Sequence, residues 1–249
     1  MTGDVGGHAS DRGRPRTGPV AGADGCKAGW VVVTLDDTGG PDGDRRYPPL
    51  TVVPALDELV ADVASGRLAA LAVDMPIGLS SRAPRACDQQ ARRMLGPRRA
   101  SVFPAPVRAV LGARTYAEAL ARSRAASGRG LPAQAWNLVP KVTELDRLVR
   151  PELQDRLVEA HPELAFARLA GSPAVHPKRT PEGRAERQML LAREGLGDVA
   201  QVRALGAASD DVLDAAVLAL TARRLRDGVA VRLGDGTRDA RGLRMEVAY

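Results

Sequence analysis

The chain has 249 residues, 44% hydrophobic and 27% charged, with 36 Lys and Arg against 30 Asp and Glu for a net charge of +6. It is long enough to bury one full core with insertions, and its basicity permits an anionic partner such as nucleic acid, although no basic run is dense enough to be a dedicated tail. Two cysteines build neither a disulfide framework nor a close metal-binding pair, and no run approaches the roughly 20 apolar residues of a membrane span, so a disulfide-stapled module and a membrane protein are excluded and a reducing cytoplasm is the expected compartment.

Residues 1–19 are rich in Gly, Arg and Pro with no apolar core, which predicts a disordered leader and not a signal peptide. The folded domain is expected over 20–249. Val20 to Asp24, the tight turn Gly25-Cys-Lys-Ala-Gly29 and the run Trp30 to Leu35 read as a hairpin with Asp24 near the end of its first arm. After a polar, Gly-rich connection, Leu50 to Val53 is a third strand, and Pro54 to Gly66 has helical spacing through Leu56, Leu59, Val60 and Val63. Leu68 to Val73 is a short buried strand that delivers Asp74 to its C-terminal end, where Pro76 and Gly78 turn the chain away. The helical crossover before it makes it parallel to one of the first three strands.

Residues 80–150 are helical and charged, with interruptions at Pro97, Pro104, Pro106, Gly112 and Gly128-Arg-Gly130, and read as a mainly helical insertion. Within it, Asn137 to Lys141 precedes a helix over Val142 to Arg150. A fifth strand covers Arg156 to His161 and runs into Pro162 and Glu163, followed by a helix over Leu164 to Leu169. Gly183 to Arg193 is a helix, and Ser209 caps a last long helix reaching about Arg226. Val229 to Leu233 and Leu243 to Val247 flank a turn-rich segment as a terminal hairpin.

Carboxylates stand out in four of these elements. Asp210 and Asp211 are accounted for by the helix dipole at the start of the last helix. Asp214 is not: it shares a face with Asp211 within a nearly all-apolar stretch, where an unpartnered carboxylate is costly. Glu159, His161 and Glu163 would share one face of an extended strand, broken at Pro162. With Asp24 and Asp74, the residues Glu159, Asp211 and Asp214 make an oxygen-rich cluster suited to Mg²⁺ or Mn²⁺, with His161 beside it. Such a cluster repels itself unless a cation offsets it. The only lysines, Lys27, Lys141 and Lys178, lie in the stretches already singled out and, with Arg187, are the expected phosphate contacts. No zinc pattern, Walker A loop or full GxGxxG is present.

Seven motifs carry a family resemblance: Gly22-Ala-Asp-Gly-Cys-Lys-Ala-Gly-Trp30; Val73-Asp-Met-Pro-Ile-Gly78; Arg98-Arg-Ala-Ser-Val-Phe-Pro104; Pro140-Lys141; Glu159-Ala-His-Pro-Glu163; Lys178 with Gly183 to Arg187; and Asp210-Asp-Val-Leu-Asp-Ala215. Over Val20 to the C-terminus the chain resembles the domain of unknown function 429 family, described as predicted nucleases of the ribonuclease H-like superfamily. The resemblance implies an α/β fold with a mixed five-stranded sheet led by three antiparallel strands. It maps the superfamily's catalytic carboxylates onto Asp24, Asp74 and the Asp211/Asp214 helix. The Glu159 to Glu163 stretch and the 80–150 insertion are not shared with the superfamily's familiar members.

Three functions follow as expectations. The first is divalent-metal-dependent phosphodiester hydrolysis on DNA or RNA. The second is a metal-dependent small-molecule phosphohydrolase or phosphotransferase with the insertion as a lid. The third is a non-catalytic nucleic-acid-binding module, which the small number of aromatics in the insertion disfavours. No membrane partner is expected, and the sequence does not specify the oligomeric state.

Overall fold

The structure, a computed structural model, describes residues 17–36, 49–82, 84–197 and 206–249. The expected leader lies outside the described residues except at its end, as does most of the connection before residue 50. Strand β1 (Val20–Cys26) turns into β2 (Gly29–Leu35), and β3 (Leu50–Val53) extends the meander. Helix α1 (Asp57–Ser65) ends at Gly66, whose φ of 81° suits a residue without Cβ, and leads to β4 (Ala70–Val73). The insertion contains α2 (Ala86–Leu95), two short 3₁₀ turns, α3 (Tyr116–Ser127) and α4 (Ala133–Leu148). After it come β5 (Leu157–Glu159), α5 (Pro162–Ala170), α6 (Pro181–Arg193), α7 (Ser209–Arg226), β6 (Arg232–Leu233) and β7 (Val247–Ala248).

The main sheet has five strands in the order β3-β2-β1-β4-β5. The β1–β2 and β2–β3 pairs are antiparallel, while β1–β4 and β4–β5 are parallel. Period-two alternation splits the strand residues between two cores. Val20, Val31, Val33, Ala70, Ala72 and Val158 pack with the helix α7 side. Ala21, Ala23, Trp30, Val32, Leu71, Val73 and Leu157 pack on the opposite face with Leu56 and Val60 of the α1 region and Val142 and Leu145 of α4. Helices therefore cover both faces of the sheet.

Small residues set how closely α7 lies on the sheet. Gly22 faces it, and a Cβ there would come within 2.1 Å of Ala219 N and 2.3 Å of Ala215 O. The apolar run from Val212 to Ala222 is buried nearly all round because β1, β2, β4, α5 and α6 surround this helix.

Four boundaries differ from the sequence expectation. Helix α4 runs through Pro140 without ending there, held by α4 packing on the sheet. Glu144 accepts from Trp30 Nε1 at 3.1 Å and from Leu56 N at 2.8 Å. Helix α5 begins at Pro162, whose fixed φ suits a first helical position. Residue 209 is already helical, with Ala208 as the flanking residue. The terminal hairpin keeps only two-residue strands, because its connecting segment is tied inward: Asp239 accepts from Leu79 N at 3.0 Å and pairs with Arg108. Among the described residues no helix is long and apolar enough to cross a membrane.

Candidate active site

Asp24 and Asp74 are side by side at neighbouring strand ends. Ala23 pairs with Val73 across β1 and β4, so the two aspartates come next in register, and Asp74 N–H donates to Ala23 O at 3.0 Å. Their parity with Gly22 and Ala72 turns both toward α7. That helix supplies the third carboxylate, Asp214, which is almost fully buried. Burial raises the pKa of Asp24 well above the ordinary range, and the neighbouring Asp74 and Asp214 charges add to it. Burial also raises Asp74, reinforced by Glu163 and opposed by His161 and Lys178. For Asp214, burial outweighs the pull of Lys178 and pushes the carboxyl up to about 6, with Asp74 and Glu163 adding to the rise. The three groups form one mutually repelling cluster.

A fourth carboxylate joins them. Glu163, in the first turn of α5, has a side chain only 10% exposed. Its Oε1 takes the Arg187 Nη2–H at 2.6 Å, while its Oε2 is buried without a hydrogen-bond partner. Pro162 accounts for this placement, since starting a helix there swings Glu163 out of strand alternation and toward α7. Glu163 belongs to the Glu159-to-Glu163 motif, in which strand alternation alone puts both glutamates on one face and does not tell them apart. A proline at the first helical position was the signal available.

The structure takes Glu159 elsewhere. Glu159 pairs with Val73 in the β4–β5 register and so shares the face opposite Asp74. There Arg85 grips it with two hydrogen bonds of 2.6 Å, and Ile77 N–H donates to its Oε2 at 2.7 Å. Arg85 is itself buried, bonds the Ile77 and Gly78 carbonyls at 3.2 Å, and pairs with Asp88. Glu159 thus staples the chain just beyond Asp74 and has no place among the carboxylates that face α7.

Other expected site residues divide similarly. His161 caps α5: its Nδ1 accepts from Glu163 N at 3.2 Å and its Nε2 meets Ser101 O at 3.2 Å, which assigns the ring proton to Nε2. Both ring nitrogens are thereby used. Asp211 is half-buried and accepts from Ala208 N at 3.0 Å, closing the start of its own helix. Arg187 is not a free phosphate contact, because it is buried against Glu163 and donates to Gly183 O at 2.8 Å. Lys141 donates to Gly29 O and lies 4.4 Å from the Trp30 ring centroid. Lys27 is exposed on the β1–β2 turn, just after Asp24.

Lys178 reaches the cluster. Its ammonium bonds Asp214 Oδ2. Burial works against the charged form, but Asp214, then Asp24 and Asp74, outweigh it and raise its pKa. The loop that carries it is pinned. Glu186 accepts from Val175 N and His176 N at 3.1 Å each, Arg98 Nε donates to Ala174 O at 2.9 Å, and Thr180 caps α6 through Gly183 N at 3.0 Å.

The donors are hard oxygens in excess over local positive charge, the kind that suits Mg²⁺ or Mn²⁺. The partnerless Glu163 Oε2 and the raised carboxylates fit such an ion, although among the described residues no three His, Cys, Asp or Glu side chains are already gathered around one point. The cluster also has a consequence for the metal-free protein. Carboxyls raised on folding contribute stability that is present below their ordinary value of 3.8 and lost as pH rises through the folded value, about 6 for Asp214. For Asp214 alone the difference corresponds to on the order of 3 kcal/mol. With chelator present, the urea midpoint is therefore expected to rise on going from about pH 7 to about pH 5, and a flat or falling midpoint would contradict the cluster.

The family model described as "Protein of unknown function (DUF429)" matches residues 22–238, and the chain belongs to that family. No curated protein and no solved structure matches it.

Proposed function

We propose that this DUF429 chain is a ribonuclease H-like, divalent-metal-dependent nuclease that hydrolyses phosphodiester bonds in DNA or RNA. The observation that carries the reading is the placement of Asp24 and Asp74 side by side at the ends of β1 and β4, with the buried Asp214 of α7 close enough for its charge to act on them. The sheet, three antiparallel strands followed by two parallel ones, supports the ribonuclease H-like assignment. Asp24, Asp74 and Asp214 would hold the ion, with the free oxygen of Glu163 beside them. Bound there, the ion would lower the pKa of a water and neutralise charge developing on the phosphate.

The chain's own residues prepare that chemistry. Without a cation the cluster repels a phosphodiester, which makes turnover conditional on metal. Arg187 fixes Glu163, and Arg85 with Glu159 fixes the segment behind Asp74. Around the cluster, exposed Lys27 and Arg179 offer phosphate contacts. Phe103, 48% exposed and two residues beyond the Ser101 carbonyl that meets His161, offers a surface for a base. In hydrolysis the water oxygen bonds to phosphorus as the bond to the leaving oxygen breaks, and the proton released by the water ends on that leaving group or in solvent.

The test is cleavage of single-stranded, duplex, hybrid and branched nucleic acids and a generic phosphodiester, with Mg²⁺ or Mn²⁺ and with chelator. Cleavage is expected only with metal, and Asp74→Asn is expected to reduce it at least about a hundredfold. Silence on every substrate would sink the nuclease reading and shift weight to a small phosphoester as substrate.

A further inference from the structure

We infer that the substrate enters the site with one unpaired base, which stacks on the ring of Phe103, so that single-stranded or locally opened nucleic acid is the substrate class and intact duplex is not. This rests on the nucleic-acid reading above and narrows its substrate. Singly exposed apolar side chains are ordinary on a protein surface. Phe103 differs in how its chain is held. The residue is 48% exposed, yet the backbone on both sides of it is fixed. Before it, Ser101 Oγ donates to Arg98 O at 2.8 Å, Val102 N–H donates to Arg99 O at 3.3 Å, and Val102 O accepts from Arg92 Nη1 at 2.7 Å. The Val102 side chain is buried with Cys87, Ala91, Leu95 and Leu164. After it, Ala105 N–H donates to Asp88 Oδ2 at 3.2 Å, Val107 is buried, and Arg108 N–H donates to Ser80 O at 2.9 Å. Pro104 and Pro106 fix two further φ angles.

A ring presented this way is pre-organised, so a base that stacks on it has little of the protein to order. The loop is also tied to the strand that leads to Asp74. Ser101 O meets His161 Nε2 at 3.2 Å, and the neighbouring Ala160 N–H donates at 2.9 Å to the carbonyl of Val73, the residue before Asp74. Arg99, exposed in the 3₁₀ turn Gly96–Ser101, adds a positive charge to the same segment for a flanking phosphate. A paired base inside a duplex has both faces covered by its neighbours, and only an unpaired or extruded base offers a free face to an aromatic ring. One ring serves one base. The few aromatics of the insertion, which argue against an extended single-strand platform, are therefore enough for a site that takes a single nucleotide beside the bond it cuts.

The test is binding, read by fluorescence anisotropy at one fixed salt concentration with Mg²⁺, in an Asp74→Asn background where the strand survives. The probes are a short labelled single strand, the same strand with one abasic residue stepped along it, and its blunt duplex. Phe103→Ala is expected to weaken single-strand binding by about 5- to 100-fold, the range that stacking one base spans, and to leave duplex binding unchanged. Phe103→Tyr should keep the affinity, and Phe103→Leu, apolar but not aromatic, should lose it. An abasic residue at one position should cost as much as Phe103→Ala, and cost nothing further once the ring is gone, a coupling that a merely structural role would not produce. Equal single-strand affinity in Phe103→Ala, or an abasic penalty that persists without the ring, would overturn the inference, as would no binding of any probe. The side chain is exposed, so the variants should keep the urea midpoint of their background, and Phe103→Leu serves if Phe103→Ala does not fold. Coupling through Phe103 without cleavage of any substrate by the wild type would count against the nuclease and leave the base platform standing. Metal-dependent cleavage of blunt duplex that Phe103→Ala does not alter would do the reverse.

Discussion

Gly22→Ala is expected to destabilise the protein by about 3 kcal/mol or more, at the upper end of what overpacking a core costs. A methyl group there would meet Ala219 N, Ala215 O and the Leu218 carbonyl carbon at 2.1–2.5 Å, all backbone atoms of α7 that no rotamer change can move. Gly22 is absent from the positive-φ glycines, so alanine suits its backbone conformation. Alanine also restricts the unfolded chain, an effect that by itself favours folding by roughly 0.4–1 kcal/mol. A net loss therefore isolates the close approach. The measurement is a urea midpoint with a matched control, Gly130→Ala, whose added Cβ meets only Leu120 Cδ1 at an ordinary 3.6 Å. The control is expected to stay within about 1 kcal/mol of wild type. Because Asp214 is next to Ala215, any folded Gly22→Ala protein should also bind Mn²⁺ more weakly. Equal midpoints for the two variants would show that α7 does not rest on β1 as described.

Arg85→Met should be as damaging, at about 3–5 kcal/mol, the cost of breaking a buried ion pair from one side. The variant leaves Glu159 and Asp88 buried without their cation, and the Ile77 and Gly78 carbonyls without a donor. Burial raises the Glu159 pKa against the pull of Arg85, so losing Arg85 leaves the burial unopposed by that charge. Arg85→Met combined with Glu159→Gln should recover part of the stability, since the second change removes one stranded charge. The same pair of variants separates positioning from catalysis. Glu159 lies on the sheet face opposite Asp74, so Glu159→Gln alone should lower stability and leave Mn²⁺ stoichiometry unchanged. Loss of the ion in Glu159→Gln would place that carboxylate in the centre after all.

Local pattern was enough for much of this architecture. Leu50 to Val53 has the β-branched content of a strand and forms one, the Gly66 stop ends α1, and the order of the first five elements follows from turn residues and apolar periodicity. Asp24, Asp74 and Asp214 were legible as site candidates because each carboxylate ends or interrupts an apolar run, and the fold does bring them together. What local pattern lacked was partnership across distance. Glu159 and Glu163 look alike in sequence, and a parallel register with Val73 and a helix starting at Pro162 send them to opposite faces. Arg85 and Arg187 look like surface arginines until their buried carboxylates are in place. Asp211 kept the bland role the helix start offers, accepting from Ala208 N.

The contact between Gly22 and α7 also orders events during synthesis. β1 is among the first described segments to leave the ribosome and α7 among the last, so at roughly 5–20 residues per second the strand waits on the order of tens of seconds for its cover. Until then one face of the sheet has no lid, and the partnership has to be closed across nearly the whole chain, which slows folding. A nascent or C-terminally truncated chain therefore carries Asp24 and Asp74 but no Asp214, and it exposes Val31, Val33 and Ala72 to other chains. The enzyme proposed here cannot act before it is finished, and a chaperone that shields apolar strands is what its unfinished form would need.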